Sequence, residues 1–139
     1  MSKIRQRLTE GGKNILPRTP AKSISFDDYC PHFSLEHVAD AYCITRCAKE
    51  DRAAFAVQLR KLSQLTWKEL RRTPHEGFGC EVIDRNQIRA GIPSNVTEDV
   101  DKFLAFRFSG KKPMVGYRDE RVFHILWFDR DFSLYDHGS

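Results

Sequence analysis

The stretch that most constrains this fold is VFHILWF, residues 122 to 128, which is apolar at both alternating sets of positions. A strand with one wet face alternates apolar and polar side chains, so a strand apolar on both faces belongs inside a sheet covered on both sides. The neighbouring segments keep the same period of two. In KFLAFRF, residues 102 to 108, Leu104, Phe106 and Phe108 point one way, and Phe103, Ala105 and Arg107 point the other. SGKK at 109 to 112 makes a turn into PMVGYR at 113 to 118, and RDER makes the next turn into VFHILWF. Asp129-Arg130-Asp131 then leads into FSLYD, which reads as a final strand. Connections this short join antiparallel neighbours, so residues 102 to 136 are expected to form a meander. GCEVI at 79 to 83 adds a short strand, and residues 84 to 100, with Asn86, Gly91, Pro93 and Asn95, read as a loop.

Before position 74 the period is helical. In KEDRAAFAVQLRKLSQLTWKELRR, residues 49 to 72, Phe55, Leu59, Leu62 and Leu70 recur on one face. Glu50 and Asp51 in the first turn and Arg71 and Arg72 in the last suit the helix dipole, and Thr73-Pro74 supplies a stop. An earlier helix is expected over SLEHVADAYCITRC, residues 34 to 47, capped by Ser34. The expected architecture is therefore α+β: two N-terminal helices packed on a mostly antiparallel C-terminal sheet of about four strands. At 139 residues the chain suits one domain, placed at 25 to 139 behind a flexible basic arm at 1 to 24.

The charge of +4 is concentrated in that arm. Lys3, Arg5, Arg7, Lys13, Arg18 and Lys22 face only Glu10 there, which gives +5, while the other 115 residues carry 17 basic and 18 acidic groups. Attraction to phosphate must therefore come from the arm or from a local patch. On the long helix, Arg60, Lys61, Lys68, Arg71 and Arg72 form one such patch, suited either to RNA or simply to solvent.

No stretch approaches the roughly 18 apolar residues of a membrane span, and no secretory signal opens the chain, so a cytoplasmic protein is expected. Its four cysteines are then free thiols. Cys30, His32, Cys43 and Cys47 share a short stretch, yet C-x-H followed by C-x3-C lacks the tight knuckle of structural zinc sites, and half-buried thiols along a helix fit better. No metal or cofactor is expected.

The chemistry-bearing side chains gather on or beside the C-terminal strands: Arg107, Lys111, Lys112, Arg118, Arg121, His124, Tyr135 and His137. A guanidinium such as that of Arg107 or Arg118 grips phosphate through two parallel hydrogen bonds, or it can pair with a carboxylate. His124, between Val122 and Leu126 on one strand face, reads as a hydrogen-bonded core or half-core histidine. His137 follows the last strand beside Asp136, where an imidazole can act as general acid or base, and Tyr135 can orient it or stack on a base.

With these residues in place, FLAFRFSGKKPMVGYRDERVFHILWFDRDFSLYDHG behind a basic helix resembles the RelE/ParE toxin superfamily, in particular its YoeB-like members, over roughly residues 48 to 138. The resemblance implies a metal-independent messenger-RNA endoribonuclease acting at the ribosome and covered by a cognate antitoxin. It also implies roles. Arg107 or Arg118 would be the strand arginine, Tyr135 with His137 the terminal pair, Glu76 or Glu81 a carboxylate base, and Arg60, Lys61, Lys68, Arg71, Lys111 and Lys112 RNA contacts. From a different class, a non-catalytic module binding through the basic arm or a sheet edge fits the same composition.

Overall fold

The computed structural model describes residues 25–72 and 80–137. The arm at 1 to 24, Glu76 and the Thr73-Pro74 stop lie outside the described residues. Among the described residues, helices and strands follow in the order β1 (His32–Ser34), α1 (Lys49–Leu62), α2 (Trp67–Arg72), β2 (Glu81–Asp84), β3 (Lys102–Ser109), β4 (Lys112–Asp119) and β5 (Val122–Phe128). The strands form one sheet in the order β1-β5-β4-β3-β2. All pairs are antiparallel except β1 with β5, which run parallel with His32 opposite Val122 and Ser34 opposite His124.

This corrects the expected architecture. The sheet has five strands and is mixed, and because β1 precedes both helices, the helices are not N-terminal to it. The helix expected at 34 to 47 is absent: β1 is followed by two single 3-10 turns, Asp40–Tyr42 and Ile44–Arg46. The Ala39 amide donates to the Leu126 carbonyl at 2.8 Å instead of closing a helical turn. Its apolar side chains are also divided between the two faces of the sheet, with Val38 and Ile44 packing on one and Ala39 and Tyr42 on the other. The spacing that resembles a single stripe comes from chain wrapping around a sheet end.

The segment at 49 to 72 is helical but broken at Ser63–Thr66. Ser63 Oγ donates to the Leu59 carbonyl at 2.7 Å, and a new helix starts at a capping box. In that box Glu69 Oε1 accepts from the Thr66 amide at 2.9 Å and Thr66 Oγ1 accepts from the Glu69 amide at 3.1 Å.

On one face of the sheet, Phe55, Leu62, Trp67 and Leu70 of the helices pack against Phe106, Phe108, Phe123, Ile125 and Phe128. The opposite face buries Phe103, Ala105, Val115, Leu126 and Trp127 beneath irregular chain that supplies Val96, Leu134 and Tyr135. VFHILWF is thus covered on both faces, as its composition requires. Gly116 of β4 sits at an irregularity in the β4–β5 pairing, where a Cβ would stand 1.9 Å from the His124 carbonyl oxygen; only glycine fits.

FSLYD is not a strand. Residues 129 to 137 form a loop closed by a buried carboxylate: Asp129 Oδ1 accepts from the amides of Ser133 at 2.9 Å and Leu134 at 3.2 Å. Phe132 lies in the left-handed region at φ 61°. These local bonds compete with strand pairing for the backbone and win.

Candidate functional site

Arg107 reaches the loop-covered face through strand alternation, since it shares that side of β3 with Phe103 and Ala105. Pairing places Glu81 of β2 opposite Ala105 and Pro113 of β4 opposite Arg107, so Glu81, Arg107 and Pro113 form a contiguous patch. The Asp129 amide donates to the Pro113 carbonyl at 2.9 Å, which starts the C-terminal loop beside that patch and returns Tyr135 and His137 over it. The result is a pocket of about 260 Å³ lined by Glu81, Arg107, Lys111, Pro113, Phe132, Tyr135 and His137.

Within it, the Tyr135 hydroxyl donates to Glu81 Oε1 at 3.4 Å. Burial, aided by the charges of Glu81 and Asp129, pushes the Tyr135 phenol well above its ordinary value, so it remains a proton donor across the physiological range. The His137 ring lies 4.0 Å from that of Tyr135 and meets Phe132 edge to face at 5.1 Å. Its Nε2 is 3.0 Å from Asp129 Oδ2. Asp129 is fully buried, while the His137 side chain retains 26% exposure, so the imidazole spans a dry anchor and a wet pocket.

Sequence reasoning placed Asp136 beside His137 and missed Asp129. A readable signal existed, because an aspartate directly after a strand and four residues before a serine is suited to capping the loop between them.

Of the residues named for chemistry, Glu81, Arg107, Tyr135 and His137 line this pocket, together with Lys111. Arg118 lies elsewhere. Its guanidinium sits 4.4 Å above Trp67, donates to Asp27 Oδ1 at 2.9 Å and to the Glu120 carbonyl at 2.6 Å, and holds the Asp27 carboxyl below the usual range. Arg71 joins the same carboxylate at 2.6 Å. Lys112 is also committed, bonding both oxygens of the buried Asp51 at 2.9 and 3.1 Å. Arg60 and Lys68 are exposed on the helices. Lys61 lines a second pocket of about 410 Å³ with Val57, Gln58 and Ser109, and Arg107 borders both pockets.

A groove of about 580 Å³ beside β2 holds none of these residues. Its cations are engaged, Arg85 with the Thr97 and Val100 carbonyls and Lys102 with Asp84. His124 is half-buried, as its strand position suggests, but it is not hydrogen-bonded through Nδ1 as expected. It stacks on Tyr117 at 4.9 Å, and burial pushes its pKa down. Cys30, His32, Cys43 and Cys47 are not gathered into a metal site: among the described residues, no group of three or more His, Cys, Asp or Glu side chains is placed to hold an ion. Nor, among those residues, is any helix long and apolar enough to cross a membrane.

No family model matches the sequence, and no curated protein or solved structure matches the chain.

Proposed function

We propose that the chain is an endoribonuclease that cleaves RNA by attack of a 2′-hydroxyl on its own phosphate, without a metal. The observation that carries this reading is the convergence of Glu81, Arg107, Lys111, Tyr135 and His137 in one pocket, although up to 56 residues of sequence separate them. Arg107 and Lys111 grip the phosphate and offset the charge that builds on its oxygens. Glu81 takes the proton from the 2′-hydroxyl, and the oxygen bonds to phosphorus as the bond to the 5′-oxygen breaks. A protonated His137 gives its proton to that leaving oxygen. The products are a 2′,3′-cyclic phosphate and a free 5′-hydroxyl. Tyr135 steadies Glu81 and supports the imidazole ring.

In this reading the protein is a cytoplasmic toxin that acts on messenger RNA at the ribosome, and a cognate antitoxin silences it by covering the pocket. Arg60, Lys61 and Lys68 extend the phosphate-binding surface along the helices. A non-catalytic interaction module is the second reading. It is favoured by β2, an edge strand whose Val82 is 62% exposed.

The deciding test is incubation of purified protein with a single-stranded oligoribonucleotide and its 2′-deoxy counterpart, with and without chelator. Only the ribose strand should be cut, chelator should leave the rate intact, and Arg107→Ala or His137→Ala should lower it by roughly 10² to 10⁴-fold while the fold is retained. Cleavage of the deoxy strand, or loss of cleavage with chelator, would sink the mechanism. Induction in a bacterial host should arrest growth for the wild type and not for His137→Ala.

A further inference from the structure

We infer that Asp129 is a positioning residue that fixes His137 as the Nε2–H tautomer, so that Nδ1 is the nitrogen that meets the substrate. The inference rests on the reading above for its catalytic meaning, but its structural content stands on geometry alone. A carboxylate can only accept hydrogen bonds, so His137 Nε2, 3.0 Å from Asp129 Oδ2, must carry the proton in that contact. On this inference the other ring nitrogen, Nδ1, is assigned to the pocket that His137 lines. When His137 gives up its pocket-side proton to the leaving 5′-oxygen, the Nε2–H bond to Asp129 persists, and the ring returns to the same neutral tautomer.

The anchor is firm because the two oxygens of Asp129 have divided duties. Oδ1 accepts two backbone amides, those of Ser133 and Leu134, and Oδ2 faces His137. The carboxylate is fully buried, so this arrangement is not shared with bulk water. Tyr135 lies against one side of the imidazole and the Phe132 ring meets it edge-on. Phe132 does so from a left-handed backbone conformation that non-glycine residues seldom adopt, a strain found where surrounding contacts over-determine the geometry.

This division of labour makes Asp129→Asn unusually informative. The two amides demand that the asparagine carbonyl oxygen take the Oδ1 position, so the NH₂ group must face His137. Nε2 can then only accept, and the proton moves to Nδ1. The ring stays in place while the nitrogen offered to the pocket loses its function. The corresponding exchange in serine proteases, where an aspartate also sets a histidine tautomer, costs about 10⁴-fold in turnover.

The experiment is ¹⁵N NMR of the histidine side chains of the full chain, titrated until the imidazoles are neutral, with His137 assigned by comparison with His137→Gln. The wild type should show a protonated Nε2 and an unprotonated Nδ1 at His137. In a folded Asp129→Asn variant the two should exchange identities, and cleavage of the oligoribonucleotide should fall roughly 10² to 10⁴-fold. A wild-type His137 that is Nδ1–H, or that averages between tautomers, overturns the inference, as does an Asp129→Asn protein with an unchanged tautomer. If the variant does not fold, the wild-type tautomer alone decides. A wild type that shows the Nε2–H form but cuts no RNA overturns the proposed ribonuclease and supports the positioning role.

Discussion

The helix side of the sheet is sealed by aromatic rings. Phe55 meets Phe108 and Phe128, Phe106 meets Phe123, and Trp67 meets Phe123, all steeply inclined at 5.0 to 6.4 Å between centroids. The opposite side is sealed by irregular chain held through polar bonds: Asp129 to the 133 and 134 amides, Arg85 to two carbonyls, and the Arg89 amide to the Leu134 carbonyl at 2.8 Å. Among the rings ionisable groups enter only as partnered ones, Asp51 bonded by Lys112 and Arg118 laid on Trp67, whereas a cover built from side-chain to backbone bonds can include carboxylates, an imidazole and a phenol at little extra cost. The candidate site lies on the second side, where the cover itself carries the polar groups.

Three substitutions test that contrast. The largest effect is expected from Gly116→Ala, which strikes the strand pair beneath both covers. A methyl 1.9 Å from a backbone oxygen cannot be relieved by a rotamer, so a loss exceeding about 4 kcal/mol and no cooperative unfolding transition are expected in a urea titration. A stable Gly116→Ala protein would show that the β4–β5 irregularity can open.

Phe123→Ala removes a ring from the helix side only. It should cost about 3 to 5 kcal/mol in chemical denaturation, and whatever protein remains folded should cleave at close to the wild-type rate. A rate change much beyond twofold per folded molecule would mean that the two sides are coupled through the sheet.

The smallest effect belongs to His124, which stacks on Tyr117 beneath the loop cover, away from the pocket. Burial lowers its pKa from 6.5, against a raising effect of Asp119 and Glu36 and a lowering one of His37. The unfolded chain then binds more protons below 6.5, so this stabilising contribution is complete above that pH and is lost as pH falls through the folded value. Denaturation midpoints should decline on moving from about pH 7.5 to about pH 5.5, and His124→Gln should flatten the decline. An unchanged slope would assign the decline to other groups.

The sequence discloses the two sides unequally. Alternation in KFLAFRF assigns Phe106 and Phe108 to one side and Phe103, Ala105 and Arg107 to the other, and the structure keeps those sides. The placing of Tyr135 and His137 beside Arg107 was not in that alternation; it comes from the loop that Asp129 folds. The loop cover was harder to read, because its order comes from bonds between specific atoms and not from a period. FSLYD alternates like a strand, yet the Asp129 carboxylate folds its backbone into a loop. Residues 34 to 47 carry helical spacing because they wrap a sheet end, and three residues of β1 are too few to give any period. The break between α1 and α2 was legible in principle, since Thr66-Trp67-Lys68-Glu69 spells a capping box.

One consequence of β1 concerns the order in which the chain can assemble as it leaves the ribosome. His32 to Ser34 pair only with Val122 to His124, and the same region is tied down by Arg121 to the Cys30 carbonyl and by Arg118 to Asp27, each across 91 positions. Residues made early thus wait for residues made late. Closing so long a span early carries an entropic cost that no local contact offsets. The hairpins β3–β4 and β4–β5 need no such wait, so topology alone favours their pairing before that of β1. A nascent chain stalled before position 121 would lack every partner that β1 requires, and with them Phe123, Ile125 and Phe128, on which the helices pack.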